Sequence, residues 1–415
     1  MQALGHIVVL GAGHAGGRVV QNLRELGYLG KITLIGDESH APYERPALSK
    51  EILLDVQEIH SLTLGPDEFW NQADACDRII ARVERVHAGA RALTLDNGQT
   101  LEFDSLVIAT GGKARTLGLP GTALPGVHTL RTIDDSLALK QAFGAGRRLV
   151  VIGAGVIGME VASSAIASGM QVTVLENSGR VVSRCLPAAA SFWLEQEHRR
   201  HGVALDMQVK VLGIEASNED SPLLVRASDA EHAEQVYPAD LVLLAVGIDC
   251  ELGYLEGSGI PVDNGVVVDE FCRVPGMPWV YAAGDVAKTP NRFMQGSFRQ
   301  ETWRNAEHQA RAVAEFLLIN RVEPYIELPW MWTDQLGHNI QVVGIPREDD
   351  EIVERGTLED GSGSLLWLRD GLLAGGVLVN NSRDRKALET LVQQGARLDA
   401  ETLQADSKRR LKDFL

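Results

Sequence analysis

Cysteine is scarce: Cys76, Cys185, Cys250 and Cys272 stand far apart in 415 residues, with no C-x-x-C pair and no metal-ligand spacing. That pattern argues against a redox-active disulfide and against a bound metal, and it fits a reducing, cytoplasmic setting. Basic charge is also short. With 39 Lys and Arg against 56 Asp and Glu the net charge is −17, which excludes generic nucleic-acid binding, since phosphate contacts need cations. No apolar run approaches the roughly eighteen residues of a membrane helix, so no membrane association is expected. The first apolar run has no preceding Lys or Arg and leads straight into glycines, unlike a signal peptide. Long linkers and low-complexity tracts are missing too.

Glycine is plentiful, and its placement carries the argument. Residues 6–10 read as a strand that runs into GAGHAG, putting Gly11, Gly13 and Gly16 at the G-x-G-x-x-G spacing. The first glycine permits a tight turn, the second lets backbone approach a pyrophosphate, and the third lets helix pack on strand. A helix over 15–26 follows, whose N-terminal N–H groups favour an anion, and then a strand over 31–35 ending at Asp37, an acceptor for ribose hydroxyls. The same unit recurs: a strand over 148–152, GAGVIG with Gly153, Gly155 and Gly158, and a strand over 172–175 ending at Glu176. Two cradles imply two dinucleotides.

Length suggests two to four domains. The loop after Asp37 holds Tyr43, Arg45, Pro46 and Lys50, with a short helix from about residue 48. Beside a flavin, Pro46 would be a rigid wall and Lys50 a charge near the ring; Lys50 as a surface cap is the equal alternative. Residues 78–87 and 92–95 read as strands with a turn at 96–98, and 101–110 as a buried strand ending at Ala109, Thr110, Gly111 and Gly112. Its echo is 239–247, ending at Ala245, Val246 and Gly247. A third strand in 279–287 stops at Gly284 and Asp285, where a carboxylate could accept from a ribityl hydroxyl or simply cap a helix. Glu301, Thr302 and Trp303 open a helix over 300–319 whose N-terminus could face a flavin pyrimidine, or whose Ala306, Ala310, Val313 and Leu317 merely pack a core. From 324 the pattern changes to alternating strands, closed by helices over 384–394 and 400–415. The acidic run 348–351 and the basic end 408–412 read as solvated. The expected domains are 1–113 with 246–323 for FAD, 114–245 for NAD, and 324–415 as an α+β domain.

The motifs GAGHAG, PYERPALSK, LVIATGG, VVIGAGVIGMEVA, VYAAGDVA, ETWRNAEHQA and PWMWTDQ, in this order along the whole chain, resemble the FAD-dependent NAD(P)H:ferredoxin reductases of bacterial oxygenase systems, the putidaredoxin reductase and biphenyl dioxygenase ferredoxin reductase family. The resemblance implies an α/β fold of two Rossmann-like dinucleotide-binding domains, as in disulfide-reductase-like flavoproteins, plus a C-terminal α+β domain. It implies FAD and NADH, with NADPH disfavoured by Glu176, and a [2Fe-2S] ferredoxin of plant, adrenodoxin or Rieske type feeding a terminal oxygenase of aromatic or terpene catabolism. It places Ala15, Asp37, Lys50, Val83, Arg131, Asp285 and Trp303 at the FAD, where His14 and Arg45 are further candidates by position. Gly153 to Gly158 (with Val156 and Ile157), Glu160, Glu176 and Ala245 to Gly247 fall at the nicotinamide nucleotide. Trp332 matches the aromatic near the flavin that faces the ferredoxin; by residue type alone, Trp330 and Trp332 would be core or surface tryptophans.

Three departures stand out: His14 where an aliphatic residue is usual, Asp249-Cys250 where relatives have Pro-Asn, and Arg180 four positions after Glu176, within reach of a 2′-phosphate. The implied chemistry is hydride transfer from nicotinamide to flavin followed by single-electron steps, with Lys50 and Glu160 tuning the ring. Alternatives within the same fold are a rubredoxin or monodehydroascorbate reductase; outside enzymology, an NADH-responsive flavoprotein that mainly binds partners.

Overall fold

The computed structural model describes residues 5–72, 75–217, 222–294, 296–405 and 409–415. They form two compact units, Met1–Arg45 with Ile59–Lys113 and Asp249–Pro329, and Pro46–Glu58 with Ala114–Ile248 and Trp330–Leu415.

In the first unit a six-stranded sheet runs in the order Arg273–Val274, Met277–Ala282, Ser105–Ile108, Ile7–Leu10, Ile32–Gly36, Asp77–Ile80. Ile7 pairs in parallel with Ile32 on one side and Ser105 on the other. The chain therefore leaves the central strand in one direction and returns in the other, and ligands of open α/β sheets sit beyond the carboxyl ends at such a reversal. Ile7 and Val9 pack with Val19, Val20, Leu23, Ala310 and Val313 of two helices, His14–Glu25 and Trp303–Leu318. Val8 and Leu10 point to the other face, among Leu93, Leu95, Val266 and Val280. That alternation is the two-residue period of a strand, and covering both faces explains why the strand is apolar throughout. Each such side chain contributes roughly 1.5–3 kcal/mol.

The second unit repeats the scheme. Its parallel sheet runs Ala204–Met207, Gln171–Glu176, Arg148–Ile152, Leu241–Leu244, Val127–His128, with the reversal again at the strand before the glycine turn. A separate antiparallel sheet runs Trp330–Gln335, His338–Val343, Leu372–Val379, Ser362–Arg369, Glu351–Thr357, so Trp330–Gln335 is an edge strand. Helix Arg385–Gln394 buries Leu388 and Leu391 and ends at Gly395, whose φ of +63° is the usual left-handed stop.

Several boundaries differ from the sequence reading. Residues 78–87 are two strands: Asp77–Ile80 joins the parallel sheet, and Val83–His87 pairs with Ala92–Leu95 in another. Likewise 101–110 splits into Thr100–Glu102 and Ser105–Ile108, because Asp104 turns back to accept from the His6 N–H (2.6 Å). The turn at 96–98 forms as expected, with Gly98 at φ +81°. The expected helix at 48 is a 3-10 turn, Pro46–Ser49, and the expected 400–415 helix is Ala400–Ala405 followed by a 3-10 turn, Leu411–Phe414. Lys408 of the basic end lies outside the described residues. The acidic run is not simply solvated either: Asp350 is buried and receives Arg369 Nε and Nη2, both at 2.8 Å.

Candidate active site

At the first glycine turn Gly11 has φ +102°, and a Cβ there would collide with the Ala109 carbonyl; a Cβ on Gly16 would collide with the Gly11 carbonyl. These overlaps with backbone cannot be relieved by a rotamer change, so the turn tolerates no other residue. Gly13 caps helix His14–Glu25 with no side-chain hydrogen bond and no acid in the first turn. By contrast, helix Trp303–Leu318 is capped by Thr302, which accepts from Asn305 N (3.2 Å). The cradle helix thus keeps its positive end for an external anion, the requirement of a pyrophosphate.

Around this turn the structure assembles many of the expected residues. His14 Nε2 meets Glu307 (2.8 Å), which also takes Arg18 (2.7 Å), and the His14 ring stands edge-on to Trp303 at 5.4 Å. Burial alone would raise the Glu307 pKa, but His14 and Arg18 bring it below the usual range. Arg45 pairs with Glu38 (2.7 Å) and takes the Tyr43 hydroxyl as acceptor (2.9 Å), and Nη2 lies 3.5 Å from a Cβ built on Gly13. Burial opposes its charge; Tyr43, Glu38 and Asp285 outweigh that and hold it more firmly protonated than usual. Gly284, at φ +76°, brings its backbone against Ala15, where a Cβ would stand 2.8 Å from that methyl group. The Asp285 carbonyl accepts from Arg299 (3.0 Å), which also pairs with Glu301 (2.7 Å). No side chain caps the 3-10 turn Gly284–Val286, so Asp285 is not the helix cap that its position allowed. Thr110 shares a hydrogen bond with Tyr254 (3.0 Å), Val83 is half-buried, and Asp37 is exposed and paired with Arg82 (3.0 Å). Gly111 adopts φ +64°.

The second turn repeats the steric signature. Gly153 has φ +104° with the Ala245 carbonyl 2.5 Å from a built Cβ, and a Cβ on Gly158 would strike the Gly153 carbonyl. Gly155 caps helix Val156–Ala167, again without a side-chain hydrogen bond or first-turn acid, and a Cβ there meets nothing within 4 Å. Glu176 accepts from Ala154 N and Ser178 N, one per oxygen and both at 2.6 Å. Arg180 Nη1 donates to the Leu186 carbonyl (3.1 Å). Val246 and Gly247 follow the strand end beside Gly153, and Ile157 is exposed.

Pro46, Lys50 and Arg131 fall in this second unit. Lys50 is buried, not a surface cap: its Nζ lies 3.3 Å from Glu160 Oε1, 3.8 Å from Asp334 and 5.8 Å from the centre of the Trp332 ring. Glu160 also receives the hydroxyls of Ser49 and Thr333, the latter at 2.7 Å. Burial pushes its pKa up, against Lys50, Ser49 and Thr333. Trp332 stacks on Trp330 (5.1 Å, 23°), and Arg385 caps the pair 5.2 Å from the Trp330 ring centre. Arg131 N binds Asp135 at the start of helix Ile133–Ala142.

Residues 5–310 match the family model for pyridine nucleotide-disulphide oxidoreductase. The chain belongs to that family. Residues 330–415 of this oxidoreductase match the reductase C-terminal model. It is 37% identical over 412 residues to the ferredoxin reductase component of chlorobenzene dioxygenase from Cupriavidus sp., covering 99% of this chain and 97% of the relative. The ferredoxin reductase subunit of 5,5′-dehydrodivanillate O-demethylase from Sphingobium sp. is 35% identical, covering 98% and 97%. Among solved structures, that of the covalent putidaredoxin reductase–putidaredoxin complex aligns with TM-score 0.90 and 30% identity, covering 99% and 98%. Those end-to-end matches bear out the family and fold read from the motifs. Sequence reasoning missed Ser49, Thr333 and Arg385 of the oxidoreductase. Thr333 was findable, since it lies inside PWMWTDQ; Arg385, more than fifty positions further on, had no local signal.

Proposed function

We propose that this oxidoreductase is the ferredoxin reductase of an oxygenase system, taking hydride from NADH and passing electrons singly to a [2Fe-2S] ferredoxin. The observation that carries the reading is the pairing of two uncapped glycine cradles with cysteines unsuited to redox work. None of the four cysteines forms a disulfide, and burial raises the Cys76 thiol to about 11 and Cys272 to about 12. Electrons leaving as thiols would need a low-pKa pair; an iron–sulfur acceptor needs none. A cytoplasmic location fits cysteines kept out of disulfides.

Bound FAD would supply both the hydride acceptor and the one-electron donor. The chain's own residues hold and orient. In this reading the first cradle takes the FAD pyrophosphate on the N–H groups from Gly13 to Gly16, flanked by His14, Ala15, Arg45 and the strand ends at Ala109 to Gly111. Asp37 takes the adenosine ribose, Gly284 and Asp285 the ribityl chain, and Glu301, Thr302 and Trp303 offer a helix N-terminus to the pyrimidine. Val83, Lys50 and Arg131 are assigned to FAD by the family likeness, and Pro46 would be a rigid wall beside the ring.

The second cradle takes NADH at Gly153, Gly155, Val156, Ile157 and Gly158, beside Ala245, Val246 and Gly247. Each Glu176 oxygen spends one acceptor site on backbone and keeps another for a ribose hydroxyl, and the same charge repels a 2′-phosphate. Lys50 and Glu160 set the charge beside the reacting ring, and Trp332 is the exit toward ferredoxin. The full chain incubated with FAD should turn yellow and reduce a [2Fe-2S] ferredoxin with NADH. Protein that stays colourless, or that reduces only dithiol acceptors, would overturn the reading.

A further inference from the structure

Glu160 is held by more than its partner cation. The Lys50 ammonium 3.3 Å from Glu160 Oε1 favours the ionised form against burial; an ionised carboxylate can only accept and Thr333 owns a single proton, so that proton is given to Glu160. Thr333 Oγ1 must then accept from Gln335 Nε2 (2.8 Å), which turns the Gln335 carbonyl oxygen toward His198 Nε2 (2.9 Å). That oxygen also only accepts, so His198 carries its proton on Nε2 and its Nδ1 is bare. The structure agrees on this point: Nδ1 is buried without a partner, as a nitrogen with no proton to place can be.

Every donor in this line therefore points one way, from helix Ala188–Arg200 through strand Trp330–Gln335 to helix Val156–Ala167. Water has no access, since His198 is 0%, Gln335 1% and Thr333 1% exposed. Burial also keeps His198 neutral near pH 7, with Gln335, His201 and Glu197 as its polar and charged neighbours. The charged groups about Glu160 are Lys50 and, beyond it, Asp334.

We propose that Gln335 and His198 are positioning residues for hydride transfer: acting through Thr333, they fix the Glu160 carboxylate toward Lys50. Ser49 holds the other carboxylate oxygen, so loss of the Thr333 bond would let the oxygen facing Lys50 shift about the Ser49 contact, and displacements of about 1 Å near a reacting centre cost up to roughly a hundredfold in rate. The role rests on the function proposed above. A chain that merely satisfied buried polar groups would behave differently: losing one member would orphan its buried partner and lower stability, while the rate and pH profile of flavin reduction stayed the same.

The test uses the full-length, FAD-loaded protein and three variants, Gln335→Met, Thr333→Val and Thr333→Ser. Under the proposal, Gln335→Met and Thr333→Val slow flavin reduction at saturating NADH about tenfold and move the acid limb of its pH profile upward, with the NADH Kd within about twofold. Thr333→Ser keeps the hydroxyl and restores both. Independently, 15N-histidine NMR of the unmodified protein should show His198 as the neutral Nε2–H tautomer. An Nδ1–H tautomer, or a Gln335→Met rate and pH profile superimposable on the parent, overturns the proposal. If Gln335→Met does not fold, the Thr333 pair decides. Should NADH fail to reduce the parent protein's flavin, the functional reading falls, while the tautomer still reports on the chain of donors.

Discussion

The two glycine cradles share their steric core and differ in what surrounds it. In both, the first glycine lies against a carbonyl of the neighbouring strand and the third against the carbonyl of the first. Around the first turn, however, side chains crowd in: Arg45 reaches Gly13, and His14 is locked by Glu307 and Trp303. Around the second, the middle glycine meets nothing within 4 Å, and the strand-end acid Glu176 accepts from the Ala154 N–H of the turn itself and the Ser178 N–H of the following loop. In the reading proposed above, a nucleotide that stays and a nucleotide that leaves every turnover call for these different surroundings. Fixed charges lower the cost of keeping the first, and an open turn with a pre-aimed acid suits rapid exchange of the second.

That contrast can be broken most forcefully at the third glycine. Gly16→Ala should abolish FAD retention, a loss of a hundredfold or more in affinity, because the new methyl group meets the Gly11 carbonyl. Gly158→Ala should leave the protein yellow and remove its reduction by NADH; the absorbance ratio of flavin to protein, followed by anaerobic titration, separates the two. Next in size is Glu176→Gln, which should cut the preference for NADH over NADPH by roughly tenfold to a hundredfold in kcat/KM. Unchanged preference would assign the choice elsewhere, with Arg180 the first place to look.

A smaller effect sharpens the comparison. Gly155→Ala adds a methyl group in open space at φ −73°, so Tm should hold within about 1 °C while KM for NADH rises roughly tenfold. Equal KM would mean that no phosphate approaches there.

The smallest effect expected is on stability in acid. Burial lowers His198 from 6.5 to about 4 in the folded protein. Since the folded value is depressed, stability is unaffected above pH 6.5 and is lost progressively as pH falls from there toward 4. Denaturant titrations from pH 7 to 4 should show that slope, and His198→Phe should flatten it.

How much of this was legible in the chain follows from where the chemistry is encoded. The cradles were, since glycine spacing, flanking strands and terminal acids are all local. Boundaries were lost where one apolar run serves two sheets, as at 101–110, where Asp104 makes the break by accepting from His6. The acidic run misled because Asp350 finds Arg369 across a hairpin. Lys50 with Glu160 was foreseeable from the family likeness alone: they are 110 positions apart, and nothing periodic links them. Even Thr333, within a motif already singled out, gave no sign of its partner, because a strand's alternation tells which face a hydroxyl takes and not what waits there.

Helix Val156–Ala167 starts at the nucleotide turn and, within its first turns, gives Glu160 to Lys50, Ser163 to the Leu336 N–H and Ser164 to the Ser49 carbonyl. In the reading proposed above, anyone re-engineering nucleotide preference by grafting a different helix here would also disturb the Lys50–Glu160 pair. The loop after Glu176 carries Ser178, whose N–H holds that acid, and it is the place to begin.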